Sequence, residues 1–136
     1  MTESSHQQEA WNSVSVAAKI AIVDDDEGIR EALQGLLASI GHEALLFASA
    51  QEFLAFQKRE ELNCLILDMR MPGMTGLELQ AVLRQQTNCP PIIFMTSYAD
   101  ERTKKAALSG GAHCFLGKPV NDQTLIDCID QILAEV

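Results

Sequence analysis

The sequence predicts an α/β domain: a doubly wound, five-stranded parallel sheet of order 2-1-3-4-5 with helices on both faces. Three observations lead there. Five short apolar runs recur along the chain, each bounded by polar residues, Gly or Pro, as strands buried on both faces are. Longer segments with apolar residues at helical spacing separate them. There is no internal repeat, and right-handed crossovers that each need a covering helix leave few other topologies.

The elements follow in order. Residues 1–18, rich in Ser, Gln and Glu without a clear period, read as a flexible arm, so the folded domain is expected over 19–136. The stretch 14–18 is a candidate extension of the first strand, "IAIV" (20–23). Ile29, Leu33, Leu36, Leu37 and Ile40 then share one helical face that stops at Gly41, a residue suited to a helix C-terminus. "EALLF" (43–47) is the second strand, and "SAQE" (49–52) has the Ser and Glu of a capping box. "CLILD" (64–68) is the third, followed by a second capping-box start, "TGLE" (75–78). "PIIFMT" (91–96) is the fourth, and a weaker helix over 100–108 runs into Gly110-Gly111. "AHCFLG" (112–117) is the fifth, and the last helix follows Asn121, aligning Leu125, Ile129, Ile132 and Leu133.

A chain of 136 residues suits one domain, and with one Trp, one Tyr and five Phe its core must be aliphatic. Nineteen acidic residues against ten basic ones leave a net charge of -9, which repels phosphate backbones and anionic membranes; direct nucleic-acid binding is not expected. Cys64, Cys89, Cys114 and Cys128 have no C-x-x-C or zinc-ligand spacing, and three lie in apolar runs, as buried free thiols in a reducing compartment do. No apolar run reaches the roughly 20 residues of a membrane span, and Glu3 and Glu9 stand where a signal peptide would be basic. A cytoplasmic protein is expected.

In this flavodoxin-like (βα)5 order, ligands sit beyond the carboxyl ends of the strands near the switch point. The residues there are Asp24, Asp25 and Asp26 after the first strand, Asp68 after the third, Thr96 after the fourth and Lys118-Pro119 after the fifth. Each has an ordinary explanation taken singly: Asp26 caps the first helix, Asp68 forms a turn, Thr96 ends a strand and Lys118 is solvated. Together they demand more. Three carboxylates gathered at neighbouring strand tips repel one another unless a cation offsets them. Mg2+ suits best, because it takes one or two carboxylates, keeps waters and leaves room for a phosphoryl oxygen. A lysine and a hydroxyl would serve that group's remaining oxygens, and Asp68, alone at its strand end, is the candidate nucleophile.

"IAIVDDDEGIREAL", "LILDMRMPGMTGLEL", "IIFMTSYAD" and "SGGAHCFLGKP" resemble the receiver domain of two-component response regulators, within the CheY-like superfamily and closest to its FixJ-like branch. The likeness runs from Lys19 to the end. It implies that Asp68 is the phosphoacceptor, served by a sensor histidine kinase or a phosphotransfer protein. Asp25 would hold Mg2+ directly, with Asp24 beside it, Asp68 and the Arg70 carbonyl as further ligands. Thr96 would be the switch hydroxyl, Phe115 the switch aromatic and Lys118 the contact to the phosphoryl group, with Lys118-Pro119 cis. Output would pass through the face of the fourth helix, fifth strand and fifth helix, where a homodimer could form. The function implied is signalling rather than metabolic catalysis: a phosphorelay module acting through protein partners or as the receiver of a longer transcriptional regulator. Ser97 and Val120 depart from the common pattern, and Arg70 and Tyr98 stand where the family tunes water access.

Other readings fit less well. A haloacid-dehalogenase-type phosphatase also uses a strand-end aspartate but wants an acid/base Asp two residues later, where Arg70 stands. A flavodoxin-like cofactor site wants a Gly-rich phosphate loop after the first strand, and three aspartates occupy it. An EF-hand wants Glu at the twelfth loop position, which is Gly35. An interaction domain that is never phosphorylated has no use for an intact acidic pocket.

Overall fold

The computed structural model describes residues 17–86, 89–97 and 99–135. Five strands, β1 (Lys19–Val23), β2 (Glu43–Phe47), β3 (Cys64–Asp68), β4 (Ile92–Thr96) and β5 (Cys114–Gly117), alternate with five helices, α1 (Glu27–Ser39), α2 (Ala50–Ala55), α3 (Gly76–Arg84), α4 (Glu101–Ser109) and α5 (Asp122–Ala134). All strand pairs are parallel, in the predicted order β2-β1-β3-β4-β5. Two strands start later than expected. Pro91 has no N–H to give and stands before β4, although its carbonyl accepts from the Leu65 N–H at 2.9 Å. Ala112 is held by the closing turn of α4 instead of the ladder, its N–H donating to the Ala107 carbonyl at 3.0 Å. Residues 14–16 of the candidate strand extension lie outside the described residues.

Alternation along the strands divides the core in two. Ala21, Val23, Leu65, Leu67, Ile92 and Phe94 face α2, α3 and α4, meeting Phe53, Leu79, Leu83 and Ala107. Ile20, Ile22, Cys64, Ile66, Ile93 and Met95 face the other way, meeting Leu33 and Leu37 of α1 and Leu125, Ile129 and Ile132 of α5. Nearly all of these are shielded from water, and each Leu or Ile so buried contributes roughly 1.5–3 kcal/mol. The central strands β1, β3 and β4 are therefore locked in register, and their tips are fixed points.

Caps set where the helices begin. Asp26 Oδ1 accepts from the Ile29 N–H, Asp100 Oδ1 from the Thr103 N–H and Asn121 Oδ1 from the Gln123 and Thr124 N–H groups. The Thr75–Glu78 capping box is complete; at Ser49 the hydroxyl accepts from the Glu52 N–H, but the Glu52 carboxylate reaches back to the Ala48 N–H instead. All four cysteines are free: Cys64 and Cys128 are buried, Cys114 is half-buried and Cys89 is exposed.

Ala18, just before β1, is buried, and its N–H donates to His42 Nδ1 at 3.1 Å. Burial holds the His42 pKa below its ordinary value, against the opposing pull of Asp130. An imidazole depressed on folding stabilises above its unfolded pKa of about 6.5 and loses that contribution as pH falls through the lower folded value. His42→Ala is thus expected to cost about 1 kcal/mol at pH 8. The wild-type advantage should shrink below pH 6.5 in urea titrations; an advantage independent of pH would contradict the bond.

Candidate functional site

The ladder continues past the strand tips and fixes the loops there. The Asp24 N–H donates to the Phe47 carbonyl at 3.1 Å, and the Lys118 N–H to the Thr96 carbonyl at 2.8 Å. Asp24, Asp25 and Asp68 each bring a carboxylate oxygen to within 4.8 Å of the others. With Asp26, Ile29, Arg70, Ser97 and Lys118 they line a cavity of about 250 Å³. Lys118 Nζ lies 2.8 Å from Asp24 Oδ2 and 3.4 Å from Asp68 Oδ1. Asp24 Oδ1 accepts the Asp26 N–H at 2.9 Å, so both its oxygens are engaged. Asp68 is held more loosely, by the same lysine and by the Arg70 N–H at 3.4 Å. The Lys118–Pro119 peptide is cis.

The sequence reading placed all of these residues at one end of the sheet, and the structure brings the charged ones together. Thr96 ends β4, and Phe115 lies on the neighbouring β5. Thr96 is fully buried and, by alternation along β4, shares the side of Phe94, which faces α3 and α4. Phe115 packs against that same cluster, its ring 6.5 Å from that of Phe94. Ser97 lines the cavity; Tyr98 lies outside the described residues.

The electrostatics explain what the cluster needs. Burial pushes the Asp68 carboxyl up to about 6, and repulsion from Asp24 adds to it; the Lys118 charge and the Arg70 N–H pull the other way. Burial works to lower Lys118, but its hydrogen bond to Asp24 and the charges of Asp24 and Asp68 outweigh it and hold the ammonium above its ordinary value. Three carboxylates gather beside one ammonium, the ligand atoms they offer a metal are oxygens, and the balance that is missing is that of a hard dication. The site fits such a metal. Asp68→Asn removes the repulsion while leaving the Lys118–Asp24 pair, and is expected to stabilise the domain by about 1–2 kcal/mol in metal-free buffer at pH 7. Thermal denaturation with a chelator checks this; an unchanged or lower melting temperature would contradict it.

Two residues that the sequence reading passed over shape the site. Arg30 Nη1 donates to the Asp24 carbonyl at 2.7 Å and so fixes the backbone between Asp24 and Asp25. Gly76, first residue of α3, gives its N–H to the Met69 carbonyl at 3.0 Å and lies so close that a side chain would strike the Asp68 carbonyl. In sequence Arg30 was one polar residue on a helix, and Gly76 sat inside a capping box.

Fold and site together define a doubly wound α/β domain with an acidic cluster at its strand tips that could hold a metal ion. Comparison with known proteins agrees. A family model described as "Response regulator receiver domain" matches residues 20–130, and the chain belongs to that family. It is 38% identical over 122 residues to nodulation protein W of Bradyrhizobium diazoefficiens, covering 90% of this chain and 54% of that protein. It is 40% identical over 113 residues to the response regulator TodT of Pseudomonas putida, covering 83% and 50%. Among solved structures, the response regulator StyR matches with a TM-score of 0.80 at 43% identity, over 86% of this chain and 59% of that one. FixJ-N matches at 0.78 and 31% identity, over 88% and 95%. The chain spans about half the length of the curated relatives it matches. It is a receiver domain of the two-component type, a family phosphorylated on aspartate. Among the described residues no helix is long and apolar enough to cross a membrane.

Proposed function

We propose that Asp68 is the phosphoacceptor and that the domain, over residues 19–136 with 1–18 as its arm, relays a signal from a cytoplasmic histidine kinase or phosphotransfer protein. The observation that carries this reading is the unequal engagement of the carboxylates. Each Asp24 oxygen takes a short bond, from Lys118 or a backbone N–H, whereas Asp68, lining the same cavity, is held only by 3.4 Å contacts to Lys118 and the Arg70 N–H. An Asp68 oxygen attacks the phosphorus of phosphohistidine; the P–O bond forms, the P–N bond breaks, and the imidazole leaves with the electron pair and takes up a proton. Asp25 and Asp68, with Asp24 and the Arg70 carbonyl, would hold Mg2+, which when bound neutralises charge on the transferred oxygens.

Lys118 then exchanges part of its contact with Asp68 for a phosphoryl oxygen, and the Thr96 hydroxyl turns toward the same group. Phe115, packed against Phe94, moves into the space that Thr96 leaves, changing the face of α4, β5 and α5. That face is where a homodimer or another partner reads the state. Output passes either through protein partners or, as in the regulators it resembles, through a longer transcriptional regulator of which this domain would be the receiver. Hydrolysis of the aspartyl phosphate, assisted by the same pocket, resets it.

The test is incubation with Mg2+ and acetyl phosphate, read by intact mass. Wild type should gain one phosphoryl group, Asp68→Asn none, and Thr96→Ala should label while losing the response of the α4–β5–α5 face. Labelling that survives Asp68→Asn would refute the assignment.

A further inference from the structure

A buried amide joins α3 to the end of α4. Gln80 is 3% exposed, on a helix face otherwise formed by Leu79 and Leu83, where an unmet amide would be costly. Its Nε2 donates to the Ala107 carbonyl at 2.9 Å. That carbonyl also accepts the Ala112 N–H, which closes α4 through Gly111 at φ +99°. Position 110 makes room for the amide: a Cβ on Gly110 would stand 2.5 Å from Gln80 Oε1. The other end of α3 rests on Asp68, through the Gly76 N–H on the Met69 carbonyl. One helix of nine residues therefore touches the backbone of Asp68 at its start and, one turn later, the turn that leads into β5 and Phe115.

We propose that Gln80 is a latch holding the α4–β5 turn in its unphosphorylated position, so that α3, and not β4 alone, couples Asp68 to the α4–β5–α5 face. The inference rests on Asp68 being the phosphoacceptor. A bond made in one position of the turn and broken in the other biases the equilibrium between them. Losing a neutral hydrogen bond of this kind shifts that equilibrium by roughly three- to tenfold.

The test uses amide resonances of residues 106–117 in the full chain, with and without Mg2+ and acetyl phosphate. Gln80→Leu keeps the side chain's bulk and removes its donor. Its resting resonances are expected to lie on the line joining the wild-type resting and phosphorylated positions, displaced toward the latter, while Asp68 still labels. Resonances that stay at the wild-type resting position, or move off that line, overturn the latch. Gly110→Ala expels the same amide from the other side. It should move the same resonances in the same direction in wild type and have little effect in a Gln80→Ala background; equal effects in the two backgrounds overturn the latch as well. Failure of the wild type to label defeats the assignment of Asp68 and the latch with it, an outcome distinct from labelling without a shift.

Discussion

Gly76→Ala is expected to lower the stability of the domain by about 3 kcal/mol and to slow phosphorylation of Asp68 by more than tenfold. A methyl group there strikes the Asp68 carbonyl, comes within 3.0 Å of Met69 Cα and within 3.1 Å of Phe94 Cε1. The first two are backbone atoms at the tip of a central strand and cannot rotate aside. Overpacking of this kind costs about 1–3 kcal/mol, and the bond from the Gly76 N–H to the Met69 carbonyl is worth about 1 more. Relief requires α3 to withdraw or the Asp68 loop to shift, and either spoils the 3.4 Å approach of Lys118. Urea denaturation and the labelling rate measure the two effects separately. A wild-type midpoint would show that the close approach of α3 to β3 does not matter.

Lys118→Met is expected to cost about 3 kcal/mol in metal-free buffer at pH 7, because removing one partner of a buried ion pair strands the other. Here it strands two: Asp24 and Asp68 are 3% and 6% exposed and share that ammonium. Met keeps most of the apolar stem, so the loss reports charge more than volume. Mg2+ should restore part of it, since a dication supplies the balance that the lysine gave, and the melting temperature of the variant should rise more on adding Mg2+ than that of wild type. An equal rise in both proteins would contradict this electrostatic account. Asp68→Asn and Lys118→Met, neighbours in one cavity, are thus expected to move stability in opposite directions.

These substitutions also mark what could be read from the chain alone. "IAIV", "CLILD" and "IIFMT" are legible as buried parallel strands because burial on both faces leaves no polar alternation, and the crossover rule then orders them. Asp24, Asp25, Asp68 and Lys118 are legible because each follows a strand, and strand tips near the switch point converge. Contacts between elements distant in sequence are not legible. Nothing in "GLELQ" shows that Gln80 meets Ala107, 27 residues away, or that Gly76 abuts the strand before it. Helical period tells which face is buried; it does not tell what the face is buried against.

The central claim is that Asp68 accepts the phosphoryl group, and its most direct test is chemical. Protein incubated with Mg2+ and acetyl phosphate is reduced with borohydride, which converts an aspartyl phosphate to homoserine, and is then digested and sequenced by mass spectrometry. Homoserine at position 68, dependent on both Mg2+ and the phosphodonor, is the predicted result. Homoserine at Asp24 or Asp25 instead, or an unmodified Asp68 in protein that carries the phosphoryl mass, would contradict it.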